Sequence, residues 1–102
     1  MDLFHIASRS AWDAAKAAGI YSRGTAPFIH LSTAAQWPGA LARFFAGRQD
    51  LVLLVIDGHG LDIRFEPADG ELFPHLYGDL PLAHVTAVKD FPFATGAASS
   101  GA

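Results

Sequence analysis

The chain has 102 residues, 51% of them hydrophobic and 17% charged, with a formal net charge of −3 and no cysteine. That length fits one domain with one core, the apolar fraction argues against intrinsic disorder, and the lack of cysteine removes disulfides, thiolate zinc sites and thiol nucleophiles together. Arg9, Arg23, Arg43, Arg48 and Arg64 are scattered and only two lysines accompany them, so no clustered positive charge is present for a nucleic-acid backbone or a membrane surface.

Residues 3–7 form a short apolar run around His5 and read as a first strand. Ser8 or Ser10 then opens a helix, Ser10 and Asp13 having the spacing of a capping box. The alanines between 11 and 18 favour that helix, and Gly19 suits the left-handed position that ends one. Residues 21–27 read as a polar connection and residues 28–32, Phe-Ile-His-Leu-Ser, as a second strand. Thr33 and Gln36 have the spacing of a second capping box. Pro38 predicts a kink, or a short first turn followed by a restart. Trp37, Leu41, Phe44 and Phe45 recur at helical spacing and predict one apolar face packed on the sheet. Gly47 is the expected helix end.

Residues 51–56, Leu-Val-Leu-Leu-Val-Ile, are apolar at every position, which predicts a central strand covered on both faces. Turns follow at 57–60 and 67–70. Between them a strand over 63–66 places Arg64 and Glu66 on one face and Ile63 and Phe65 on the other. Residues 71–78 read as a loop or short strand, and 85–89 as the last strand. Residues 94–102 hold only Ala, Thr, Gly and Ser and read as a loose, disordered tail. The expectation is one domain over 1–93. Helices alternate with strands only in the first half, so the fold class is α+β, with two N-terminal helices and a small mixed or mostly antiparallel sheet. The N-terminus lacks the basic and long apolar regions of a signal peptide, and cytoplasmic placement is expected.

His5, His30 and His75 each sit in an apolar, aromatic-flanked segment. A single such histidine is commonly a hydrogen-bonded core residue; three together point to a shared pocket. His59 and His84 lie in turns and read as exposed. Glu66 is either a surface partner of Arg64 or a carboxylate held at a cleft. Ser32 and Thr33 stand where a helix N-terminus attracts an anion, although capping alone explains Thr33. Phosphate-loop, dinucleotide and metalloprotease signatures are absent, and the three histidines lack the close spacing of metal pairs, so no metal is expected.

Phe4-His5-Ile6-Ala7, Phe28-Ile29-His30-Leu31-Ser32-Thr33, Arg64-Phe65-Glu66 and Phe73-Pro74-His75-Leu76-Tyr77-Gly78 resemble, in order, the family called domain of unknown function 952, over residues 3–90. A more distant resemblance is to the ADP-ribosyltransferase superfamily, through Phe4-His5 and through Ile29-His30-Leu31-Ser32, which is similar to a segment of the RNA 2′-phosphotransferase branch. That resemblance implies an ADP-ribosyltransferase-like split sheet and NAD as cofactor. It implies that His5 binds ribose, that His30 and Ser32 line the nicotinamide side, and that Glu66 or His75 occupies the catalytic end. The superfamily's first motif continues with glycine and threonine, where this chain has Ile6 and Ala7. The expected catalytic set is His30, Glu66 and His75, and the expected ligand-binding set His5, Ser32, Arg64 and Tyr77. Three functions compete: an NAD- or nucleotide-processing transferase, a non-catalytic nucleotide or small-molecule module, and a metal-assisted hydrolase using His5, His30, His75 and Glu66. A monomer or weak homodimer is expected.

Overall fold

A computed structural model describes residues 1–93; the tail expected over 94–102 lies outside the described residues. Strand β1 (Asp2–Ser8) leads into helix α1 (Arg9–Ala18), short strands β2 (Ile20–Tyr21) and β3 (Ile29–His30), and helix α2 (Trp37–Phe44). Strands β4 (Leu51–Asp57), β5 (Ile63–Ala68), β6 (Glu71–Leu76) and β7 (Leu80–Pro81) follow, then a single 3-10 turn, Leu82–His84, and β8 (Val85–Asp90). The class is α+β, and every strand pairing described is antiparallel. Among the described residues no helix is long and apolar enough to cross a membrane.

Helix α1 is delimited by local chemistry. The Ser8 hydroxyl accepts the Ala11 N–H at 3.1 Å, so Ser8 rather than Ser10 is the N-cap. Asp13 pairs with Lys16 instead of closing a box. Gly19 ends the helix at φ 82°, donating its N–H to the Ala15 carbonyl. At α2 the Thr33 N–H does reach Gln36 Oε1 at 3.0 Å, but the helix begins only at Trp37. Pro38 therefore falls in the first turn, where a missing N–H costs no helical bond and no kink is needed. The helix ends at Phe44, short of Gly47, which turns the chain at φ 79°.

Strand β4 lies between β1 and β8 in one sheet. Leu51 to Ile56 are all buried, and the strand's period of two separates them. Val52, Leu54 and Ile56 pack with Trp12 and Ala15 of α1, while Leu51 and Leu53 pack with Ile6, Phe93 and Trp37 of α2. The second sheet has the order β3-β6-β5, its β5–β6 hairpin turning through Asp69, at φ 50°, and Gly70. The segment read as a loop or short strand over 71–78 is thus the middle strand of that sheet. A third pairing joins β2 to β7 and takes in Tyr21, the first residue of what the sequence suggested was a polar connection.

Residues 29–32 join the two larger sheets. Ile29 and His30 pair with β6, and the Leu31 N–H donates to the Pro74 carbonyl. One residue later Ser32 turns to β1, exchanging both backbone bonds with Phe4 at 2.7 and 2.8 Å. The expected continuous strand over 28–32 is therefore divided between two partners, and the division sets His5, His30 and Ser32 side by side.

Candidate functional site

A cavity of about 530 Å³ opens where the two sheets meet, between this joining segment and α2. His5, Tyr21, Ser22, His30 and Ser32 supply its uncharged polar lining. Phe28, Phe44, Phe45 and Phe73 supply an aromatic wall, and Arg23 and Asp69 are its charged groups. The volume lies within the ordinary range for a small-molecule site, as does a mostly apolar wall with a few convergent polar groups.

His5 is held at both nitrogens. Its Nδ1–H donates to the His30 carbonyl at 2.6 Å, and Nε2 lies 3.0 Å from the Tyr21 hydroxyl. Burial lowers its pKa to about 4, against the raising effect of the backbone bond, so the ring is neutral at physiological pH. Burial, and then the proximity of His75, also lower His30, while burial raises Tyr21. Asp69 is 3.5 Å from Arg43 of α2.

His75 stands one layer behind the lining. Cross-strand pairing sets it opposite both His30 and Arg64. Its ring is 3% exposed, stacked on Phe28 at 3.9 Å and edge-on to His30 at 5.1 Å. His75 Nδ1–H donates to Glu66 Oε1 at 2.8 Å, and the Tyr77 O–H donates to the same oxygen at 2.5 Å. The bond from Tyr77, then that from His75, hold the Glu66 carboxyl below the usual range. The buried His75 Nε2 has no hydrogen-bond partner among the described residues.

Six of the seven residues singled out from the sequence thus fall into two linked groups. His5, His30 and Ser32 line the cavity; His75, Glu66 and Tyr77 form a hydrogen-bonded cluster outside its lining. Arg64 does not pair with Glu66. Its guanidinium binds Asp62 through two nitrogens and lies 4.1 Å from the Tyr77 ring centre. Of the two histidines read as exposed, His59 is exposed, whereas His84 is partly buried and donates to the Asp57 carbonyl. Among the described residues no three histidine or acidic side chains are placed to hold a metal ion. His5, a proposed ligand, has both nitrogens engaged. Sequence reasoning missed Tyr21, which occupies a two-residue strand too short to show periodicity, and Phe28, Phe44 and Arg23 as lining groups.

The model of a family described as a protein of unknown function, DUF952, matches residues 6–88. The chain belongs to the DUF952 family. Its match includes His30, Ser32, Glu66, His75 and Tyr77, and begins one residue after His5. The DUF952 chain is also similar to protein CC0527 from Caulobacter crescentus. A crystal structure of that protein is 36% identical, with a TM-score of 0.82, over 94% of this chain and 91% of that one. Its solution NMR structure is 38% identical, with a TM-score of 0.79, over 87% and 83%. No curated protein matches the DUF952 chain.

Proposed function

We propose that this DUF952 chain binds a nucleotide of the NAD or ADP-ribose class in the cavity between its sheets. The observation that carries the reading is the convergence of His5, Tyr21, His30 and Ser32 on a cavity walled by four phenylalanines. Aromatic rings offer stacking surfaces for a planar base. Hydroxyl and imidazole groups suit a sugar, and Arg23, the only positively charged side chain among the described lining residues, suits a phosphate. Two antiparallel sheets meeting at Phe4 and Ser32 are in keeping with an ADP-ribosyltransferase-like split sheet.

Binding without turnover is favoured over group transfer. Cleavage at the glycosidic carbon develops positive charge that an enzyme stabilises with a nearby carboxylate or oriented dipoles. Asp69 is the only carboxylate among the described lining residues and faces Arg43, while Glu66 lies behind His75. In a transferase, Glu66 would act through His75 rather than on substrate. Calorimetry with NAD, ADP-ribose and nicotinamide at millimolar concentration, followed by a nicotinamide-release assay, tests both readings. Heat with NAD or ADP-ribose and no release is the expected result. Release would select the transferase, and silence from all three compounds would reject the nucleotide reading.

A further inference from the structure

We infer that Tyr21, rather than His5, meets a ligand hydroxyl, and that it does so purely as a hydrogen-bond acceptor, selecting a ribosyl group. The inference rests on the nucleotide reading above and follows from the polarity of two hydrogen bonds.

A backbone carbonyl only accepts, so the hydrogen of His5 must sit on Nδ1, 2.6 Å from the His30 oxygen. A neutral imidazole protonated there has a bare lone pair on Nε2. The group facing that lone pair is the Tyr21 hydroxyl at 3.0 Å, which must therefore donate. Tyr21 has only one hydroxyl hydrogen, and this bond uses it. What its oxygen can offer the cavity is lone pairs alone. The ring is held for the purpose, edge-on to His5 at 5.2 Å and packed against the core beside α1.

Two consequences follow for the ligand. His5 has no nitrogen left for it, so its part is to orient Tyr21: it is a positioning residue. At Tyr21 a ligand O–H or N–H is accepted, whereas a carbonyl or phosphate oxygen would face a lone pair in a partly dry site. Leaving such a group unpaired is what gives polar sites their discrimination. Among the parts of a nucleotide, the ribose hydroxyls are the donors carried on a saturated ring, away from the base edge and the phosphates. Tyr21 is therefore assigned to the sugar.

Two measurements test the assignment. In the ligand-free wild-type protein at neutral pH, nitrogen-resolved NMR of the imidazoles should show His5 neutral with its proton on Nδ1. A proton on Nε2 would reverse the Tyr21 bond and overturn the inference without any ligand or variant. Calorimetry then compares adenosine and nicotinamide riboside, each against its 2′,3′-dideoxy form, in wild type and in Tyr21→Phe, which keeps the packed ring. Wild type should prefer the riboside it binds by about tenfold, the value of one such hydrogen bond, and Tyr21→Phe should lose that preference. Equal affinity for both forms in wild type, or a preference that survives in Tyr21→Phe, overturns the inference alone. Failure of wild type to bind any of the four nucleosides, with NAD or ADP-ribose still bound, overturns the ribosyl assignment and leaves the nucleotide reading standing. Silence from NAD and ADP-ribose as well overturns both, and the NMR result still decides the direction of the Tyr21 bond.

Discussion

At the scale of single residues, the chemistry of the cavity is dominated by withheld charge. His5 titrates near 6.5 when exposed and at about 4 in the fold, chiefly because burial disfavours its cation. Between those values the unfolded chain binds more protons than the folded one, so stability rises with pH across that window. The contribution is fully present above about pH 6.5 and is lost as pH falls toward 4. It amounts to about 3 kcal/mol at most, at about 1.4 kcal/mol per pH unit. His30 is lowered too and acts with the same sign. Glu66 belongs to a separate window, because its contribution is lost only below the ordinary carboxylate range. Urea midpoints measured through this interval should fall as the medium is acidified, and His5→Gln should flatten the fall. An unchanged slope in His5→Gln would mean that another group carries the dependence. His5 and His30 were legible as site candidates because polar rings in apolar segments stand out. Tyr21 was not, since nothing local distinguishes a tyrosine that will meet a histidine sixteen positions earlier.

At the scale of elements, β4 and α2 show where pattern suffices and where it does not. A six-residue apolar run can be satisfied only by cover on both faces, and β4 obtains it from the packing around α1 on one side and α2 on the other. The α2 periodicity correctly marks Trp37, Leu41 and Phe45 as facing the sheet, but not Phe44, which is 56% exposed and lines the cavity. The eight-residue helix ends before the periodic stripe does, and Phe44 emerges at its last turn. Truncating the two apolar positions should therefore differ sharply. Leu53→Ala should cost about 2–5 kcal/mol by leaving a cavity in the core, and Leu53→Asp should abolish folding by burying an unpaired charge. Phe44→Ala should change the denaturation midpoint little while weakening ligand binding. Thermal melts of the three variants check this, and a folded, soluble Leu53→Asp would refute the core assignment.

At the scale of the whole molecule, the cavity exists because two sheets share one segment. Ser32 supplies both backbone bonds to Phe4, two residues after His30 has paired with β6. Ser32→Pro removes the donor at that joint and leaves the Phe4 carbonyl unpaired, with an expected loss of about 3 kcal/mol. Ser32→Ala keeps the backbone and should leave stability nearly unchanged. Equal melting temperatures for Ser32→Pro and wild type would show that the joint does not hold the sheets together. The sequence by itself determined the α+β class, the end of α1 at Gly19, the buried β4 and the turn through Asp69 and Gly70, and it narrowed the start of α1 to Ser8 or Ser10. Each of these follows from interactions within a few residues, or from a local excess of apolar surface that must be covered somewhere. Only the tertiary structure decided that residues 29–32 divide between two sheets, that Ile20–Tyr21 finds β7, and that Arg64 prefers Asp62 to Glu66. It alone separated the histidines into two lining the cavity and one behind it. The strand partnerships depend on which distant strand completes each unpaired backbone edge, and short segments carry no periodicity that records the partner.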